Sequence, residues 1–287
     1  MPRKLHDAVV VITGASSGIG QATALAMADK GASLVLAARG AEGLGALAGE
    51  CRERGARLIA VPTDVGDEPA VRDLAAKAVE ALGRIDVWVN NAGVLGYGRF
   101  ENTPPDVYRR IIETNLFGQI HGARAVLPHF RRQGSGVLIN MSSVWGRVTS
   151  PYVSAYVTSK FAVRAFSDCL RQELRGEDDI HVVTILPQAV ATPMFERAAN
   201  FTGHSVRQLP LARAPEEIAK RIVWCSEDPK REVTDRRFGR LVELAYTVAP
   251  RLWNFVAPPL FRRLAFGAER QPATEGNVFE CGETTLR

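Results

Sequence analysis

Tyr156 and Lys160 stand four residues apart in Ser154-Ala-Tyr-Val-Thr-Ser-Lys160, and Ser143 precedes the tyrosine by thirteen positions. On a helix, residues i and i+4 lie one above the other on the same face. An ammonium beside a phenol favours the phenolate and draws its pKa from about 10 toward neutrality. A tyrosine so tuned serves as acid and base near pH 7. A serine hydroxyl at the end of the preceding strand can then hold the reacting oxygen while the tyrosine exchanges its proton. Ser142 rivals Ser143, and Tyr152 rivals Tyr156, but spacing favours Ser143 and the residue four after Tyr152 is a tyrosine. Alone, the pair also fits a helix with a buried aromatic and a solvated lysine.

What sets the pair apart is the segment upstream. Ala8 to Ile12 is a β-branched apolar run, the pattern of a strand buried on both faces. Thr13-Gly14-Ala-Ser-Ser-Gly18-Ile-Gly20 follows, and Gln21 to Lys30 reads as an Ala-rich helix. A strand, a glycine turn and a helix make a phosphate-binding context. Gly14 permits the turn, Gly18 admits a pyrophosphate to the backbone, and Gly20 lets helix and strand pack closely. Ser16, Ser17 and Ile19 lie in the same turn and are candidate cofactor contacts. The spacing G-x-x-x-G-x-G departs from the commoner G-x-G-x-x-G of dinucleotide binders.

Further apolar runs at 34–38, 58–61, 87–90, 137–141 and 182–186 alternate with helix-like segments such as 71–81 and 161–174. That alternation predicts an α/β fold, a doubly wound parallel sheet of the Rossmann type in a single domain. The second run ends at Ala38 and is followed by Arg39. No carboxylate stands there to accept from a ribose 2′-OH, and the guanidinium suits a 2′-phosphate. NADP is therefore expected over NAD.

Together, Thr13-Gly-x-x-x-Gly-x-Gly20, Asn90-Asn-Ala-Gly93, Asn115, Ser143 and Tyr156-x-x-x-Lys160 resemble the short-chain dehydrogenase/reductase family. The match runs from about residue 8 to 193, with every motif in family order. The resemblance implies interconversion of a carbonyl and an alcohol by hydride transfer, with Tyr156 as acid and base. It assigns Lys160 to the cofactor ribose as well, and Asn115 to a water linking Lys160 to solvent. Asp64 and Val65 match the family's adenine contacts, while Asn91, Ala92 and Gly93 would pass along the cofactor. Pro187, Val190 and Thr192 match the segment that meets the nicotinamide, and Gln188 replaces a family glycine there. An arginine after the second strand is also the family's common NADP pattern.

The 287 residues carry 36 Lys and Arg against 31 Asp and Glu, a net charge of +5, without the clustered basic stripe of a nucleic-acid binder. Cys51, Cys169, Cys225 and Cys281 form no C-x-x-C pair and the five His are dispersed, so no metal is implied. The start runs directly into the first strand, leaving no room for a signal peptide, and a cytoplasmic homo-oligomer is expected. Leu95, Tyr97, Trp145, Tyr152, Gln188 and Phe195 flank the motifs and are expected to line a pocket for a small hydrophobic carbonyl or alcohol. A catalytically silent NADP sensor and a redox-neutral epimerase are the competing functions.

Residues 1–235 make the expected Rossmann domain, and 236–287 an apolar extension that leaves the family's simplest pattern. The extension's stripe (Leu241, Leu244, Ala245, Val248, Leu252, Phe255, Val256) is broken by Pro250, Pro258 and Pro259 and bordered by Arg236, Arg237, Arg240, Arg251, Arg262 and Arg263. No glycine-rich closing strand is recognisable. The proline breaks favour a lid or a subunit contact, with peripheral membrane contact the other placement. From Gln271 onward the chain reads as polar and frayed.

Overall fold

A computed structural model describes residues 5–209, 212–234 and 238–280, with the side chains of 238–241 excluded. The chain begins β1 (Val9–Thr13), α1 (Gly18–Ala28), β2 (Ser33–Ala38), α2 (Ala41–Glu53), β3 (Leu58–Pro62), α3 (Glu68–Leu82), β4 (Val87–Asn90) and β5 (Gly96–Tyr97). Next come α4 (Pro105–Ile112), α5 (Gly118–Gln133), β6 (Gly136–Met141), α6 (Ser154–Glu173), β7 (Ile180–Leu186), β8 (Ala199–Asn200) and β9 (His204–Val206). It closes with α7 (Pro215–Glu227), β10 (Glu232–Thr234), α8 (Phe238–Val248), α9 (Pro250–Ala265) and β11 (Phe266–Arg270).

Seven strands form one parallel sheet in the order β3-β2-β1-β4-β6-β7-β10. Alternate strand residues feed opposite faces, as period-two geometry demands. Val10, Ile12, Leu34 and Leu36 enter one core, under α1, α2 and α7, while Val9, Val11, Val35 and Ala37 enter the other, under α3 and α5. Burial on both sides is why these strands read as continuous apolar runs rather than alternating ones. The expected doubly wound single domain is the fold observed. Strand order reverses between β1 and β4, so a crevice opens beyond their carboxyl ends, the usual ligand position in such sheets.

Two local features were not foreseen. β10 closes the sheet beside β7 as Glu-Val-Thr, with no glycine to announce it. A π-helical turn, Glu113–Phe117, joins α4 to α5 and contains Asn115.

The carboxyl-terminal region folds back over the crevice. Pro250 opens α9, where its missing N–H costs nothing. Pro258 and Pro259 then lie inside that helix, so these prolines do not break it as the sequence suggested. Trp253 donates its indole N–H to the Thr149 carbonyl at 3.2 Å, and Arg147 pairs with Glu232 and with Glu243 on α8. β11 pairs antiparallel with β9, and Thr274 bridges to Asn200. Residues 271–280 are thus engaged rather than frayed. Arg236, Arg237, Cys281 and the side chains of Arg240 and Leu241 lie outside the described residues. Among the described residues, no helix is long and apolar enough to cross a membrane.

Candidate active site

The glycine turn is built by close backbone contact. Gly14 and Gly18 hold φ of +62° and +54°, where a side chain would strain the chain. A Cβ on Gly20 would sit 2.2 Å from the Gly14 carbonyl oxygen, so this glycine is required for helix and turn to meet. Asn91 braces the turn from β4 by donating its amide to the Thr13 and Gly14 carbonyls, both at 3.0 Å. Thr13 Oγ1 accepts from the backbone N–H groups of Asn91 and Ala92 at 3.0 and 3.2 Å. The bracing role of Asn91 was not read from the sequence, where an asparagine after a strand gave no sign of its direction.

One cavity of about 1320 Å³ runs from this turn to α6. It is lined by Gly14, Ser16, Ser17, Gly18, Ile19, Arg39, Asp64, Val65, Asn91, Ala92, Gly93, Ser143, Tyr156, Lys160, Pro187, Val190 and Thr192. Of the expected catalytic and cofactor residues, Gly20 and Asn115 alone stand behind the wall. Asp64 is not free, since Arg110 forms an ion pair with it and the Gly66 N–H donates to it at 2.9 Å. Arg39 is engaged as well, by carbonyls of residues 277–279. Thr192 lies against Gly18, so the segment after β7 closes over the turn.

α6 starts at Ser154 and carries Tyr156 and Lys160 on its buried face. Lys160 Nζ lies 5.3 Å from the Tyr156 ring centroid and donates to the Met141 carbonyl at 2.9 Å. Ser143, just beyond β6, hydrogen-bonds the Tyr156 phenol, and its Oγ accepts from the Trp145 N–H at 3.1 Å. Ser142 turns instead to the Lys160 carbonyl at 2.9 Å. Asn115 is fully buried and clamps the Val94 backbone, accepting from its N–H at 2.7 Å and donating to its carbonyl at 2.9 Å. Asn115 lies within the π-turn.

Electrostatics in this state differ from the sequence expectation. Burial pushes the Tyr156 phenol up to about 12, and the Ser143 hydrogen bond opposes the rise. Burial also draws Lys160 down to about 7. A lysine only partly charged near neutrality exerts a weaker pull on a neighbouring phenol, and desolvation outweighs the expected effect.

The substrate end is apolar. Leu95, Trp145, Gln188 and Phe195 line it as expected, but Tyr97 and Tyr152 stand behind in an aromatic cluster with Phe266. α9, from the segment expected as a lid or subunit contact, adds Trp253, Val256, Ala257, Leu260, Phe261 and Leu264, of which the expected stripe includes Val256. Phe261 packs edge-on to Trp145, whose ring in turn meets Tyr156 edge-on. Helical spacing could have nominated this face, but not its partner. Gln188 Nε2 is buried without a hydrogen-bond partner among the described residues.

The glycine cradle, the continuous cavity and the unpartnered amide suit a bound dinucleotide. The pattern of the short chain dehydrogenase family matches residues 8–202. Together with the fold and site, this match establishes that the chain belongs to the short-chain dehydrogenase/reductase family, nicotinamide-dependent oxidoreductases. It is 36% identical over 285 residues to an uncharacterized oxidoreductase of Bacillus subtilis, covering 98% of this chain and 80% of that one. Dehydrogenase/reductase SDR family member 7B of Bos taurus is 34% identical over 277 residues, covering 93% and 83%. Among solved structures, a short chain dehydrogenase/reductase from Burkholderia phymatum in complex with NAD matches with a TM-score of 0.78 at 25% identity, covering 87% of this chain and 96% of that one. An alcohol dehydrogenase from the archaeon Thermococcus sibiricus complexed with 5-hydroxy-NADP gives 0.70 at 29% identity, covering 82% and 98%.

Proposed function

We propose that the protein is an NADP(H)-dependent oxidoreductase that interconverts a small apolar carbonyl compound and its alcohol. The observation that carries this reading is the continuity of one cavity from Arg39, past Ser143, Tyr156 and Lys160, to the apolar wall of α9. A bound nicotinamide would exchange a hydride with the substrate carbon. Tyr156 gives its phenolic proton to the carbonyl oxygen in reduction, and its phenolate takes one back in oxidation. Ser143 holds that oxygen, having the phenol already within hydrogen-bond reach. Lys160 secures the ribose hydroxyls and, with a pKa of about 7, exchanges its own proton near neutrality. Asn115 positions the water through which that proton reaches solvent. Arg39 meets the 2′-phosphate, in keeping with the absence of a carboxylate at the end of β2. A panel of apolar aldehydes and ketones, assayed for oxidation of NADPH and NADH, tests the reading. NADPH-dependent turnover is expected, and redox-neutral conversion or binding without turnover would sink it.

The region from α8 onward is a lid on this site, and homo-oligomer contact is expected through its outer face. Leu244, Val248, Leu252 and Phe255 are exposed there, Phe255 at 80%. A peripheral membrane contact is the second reading, favoured because α9 carries Arg251, Arg262 and Arg263 without any acidic residue. Light scattering alongside sedimentation with anionic vesicles distinguishes the two.

A further inference from the structure

Arg39 and the carboxyl-terminal segment are joined across the cavity. The Arg39 guanidinium donates from Nη1 to the carbonyls of Val278 and Phe279, both at 2.9 Å, and from Nη2 to that of Asn277. Three successive carbonyls therefore grip one end of the guanidinium. A guanidinium has five N–H donors in a fixed fork. Among the described residues, Nε and the second Nη2 hydrogen take no protein partner, and Arg39 lines the cavity.

The gripping segment is itself held firmly. Asn200 and Thr274 exchange backbone hydrogen bonds at 2.7 and 3.0 Å, and the Asn277 N–H donates to the Arg197 carbonyl at 2.9 Å. Gly276 has φ of +55°, and a Cβ there would lie 2.3 Å from the same Arg197 carbonyl, so the chain turns in close contact with the segment after β7. Val278 is completely buried in a cluster with Val94, Ile111 and Ala199. The segment thus straps the cavity, from the loop over its catalytic end to the residue after β2.

Asn277 lines the same cavity as Arg39, and its Oδ1 is buried without any hydrogen-bond partner among the described residues. A buried acceptor left unpaired is costly, and native structures rarely tolerate one without a ligand or water to satisfy it. The nearby ends of β2 and β3, with Gly40, Asp64 and Val65, are where a doubly wound sheet receives the adenosine half of a dinucleotide.

We infer that residues 274–279 complete the adenosine end of the cofactor site: Asn277 Oδ1 accepts a hydrogen bond from the adenosine moiety, and the carbonyls of 277–279 orient Arg39. The donor is the ribose 3′-hydroxyl or the adenine amine, the donors that both cofactors share on that half. The Nε edge of Arg39 is left to meet the 2′-phosphate. The part concerning Arg39 rests on the NADP reading above, whereas that concerning Asn277 holds for either cofactor.

Calorimetric titration of the full chain with 2′,5′-ADP, 5′-AMP and nicotinamide mononucleotide tests the inference. Asn277→Ala retains the backbone carbonyl and should weaken both adenosine probes about tenfold, the worth of one hydrogen bond. Affinity for the mononucleotide should stay unchanged. Deleting 277–287 should weaken 2′,5′-ADP more than 5′-AMP, because Arg39 also loses its support. Unchanged binding of both adenosine probes to Asn277→Ala would overturn the inference, even if the deletion fails to fold. So would tighter binding of 2′,5′-ADP to the deletion, since the carbonyls would then be competitors of the phosphate. Arg39→Leu separates the two readings: if it leaves 2′,5′-ADP unaffected, the NADP reading fails while the Asn277 result still decides the strap.

Discussion

The sheet and its cover are built by different means. Residues 9–186, joined by α7 and β10, make the sheet layers, whose core comes from strand residues such as Val10 and Ile12 on one face and Val9 and Val11 on the other. The cover, which is the rest of the described chain after Val190, has few long strands and is held by scattered contacts: Arg147 to Glu243, Trp253 to Thr149, Thr274 to Asn200, and Arg39 to the carbonyls of 277–279. The sheet region carries the glycine cradle and the residues proposed for acid–base work, Ser143, Tyr156 and Lys160. The cover supplies the apolar wall and the strap. On the proposed function, chemistry rests mainly on one region and selectivity mainly on the other, and the two should fail separately.

The largest effect on stability should come from Lys160. Its folded-state pKa is about 7 against an ordinary 10.5, so below pH 7 folding must bury a charge. Between those values the unfolded chain binds more protons, and stability of the cofactor-free protein should climb as pH rises from 7 toward 10. Tyr156 acts oppositely. Its raised pKa contributes stability below about 10 that is lost toward 12. Denaturant midpoints across pH 6–10 should rise for the wild type and stay flatter for Lys160→Met, the variant being steadier by a few kcal/mol (roughly 1.4 per pKa unit) at the acid end. A flat wild-type profile would contradict the burial argument.

Next in size is Gly20→Ala. Its methyl would press on the Gly14 carbonyl, and the cost should be about 1–3 kcal/mol with loss of cofactor binding. Thermal melting and dinucleotide titration read both. Arg39→Leu should then cost about 1.5–3 kcal/mol in NADPH binding and much less in NADH binding. Equal losses would make the arginine purely structural. The smallest effect is expected in the cover: Leu260→Ser should raise KM for an apolar substrate by roughly tenfold, through lost apolar contact, with kcat little changed. A fall in kcat instead would mean that α9 shapes the reacting geometry.

The same division governs what could be read from the sequence. Strand and helix patterns in the sheet region are local, and they marked β4 at Val87–Asn90 and most other elements to within a few residues. Motif spacing nominated Ser143, Tyr156 and Lys160, which the fold brings to one cavity. By contrast, β10 was missed because three residues at a sheet edge carry no periodic signal. The proline-bearing α9 was read as broken because composition suggested it. Its role in the pocket depends on Trp145 and Phe261 meeting across more than a hundred residues. Asn277 gave no signal at all, since its place at the cavity depends on a turn held by Arg197 and Val278. The altered pKa balance at Tyr156 was illegible for a related reason: spacing shows proximity, whereas desolvation depends on the whole surrounding fold.

Hydride transfer in Tyr156→Phe, followed at saturating NADPH with an apolar carbonyl that the wild type reduces, bears most directly on the central claim. Only the phenolic proton is removed, so kcat should fall by about 10²–10⁴ while NADPH affinity stays close to that of the wild type. Turnover undiminished in the variant would contradict the assignment of Tyr156 as the proton donor.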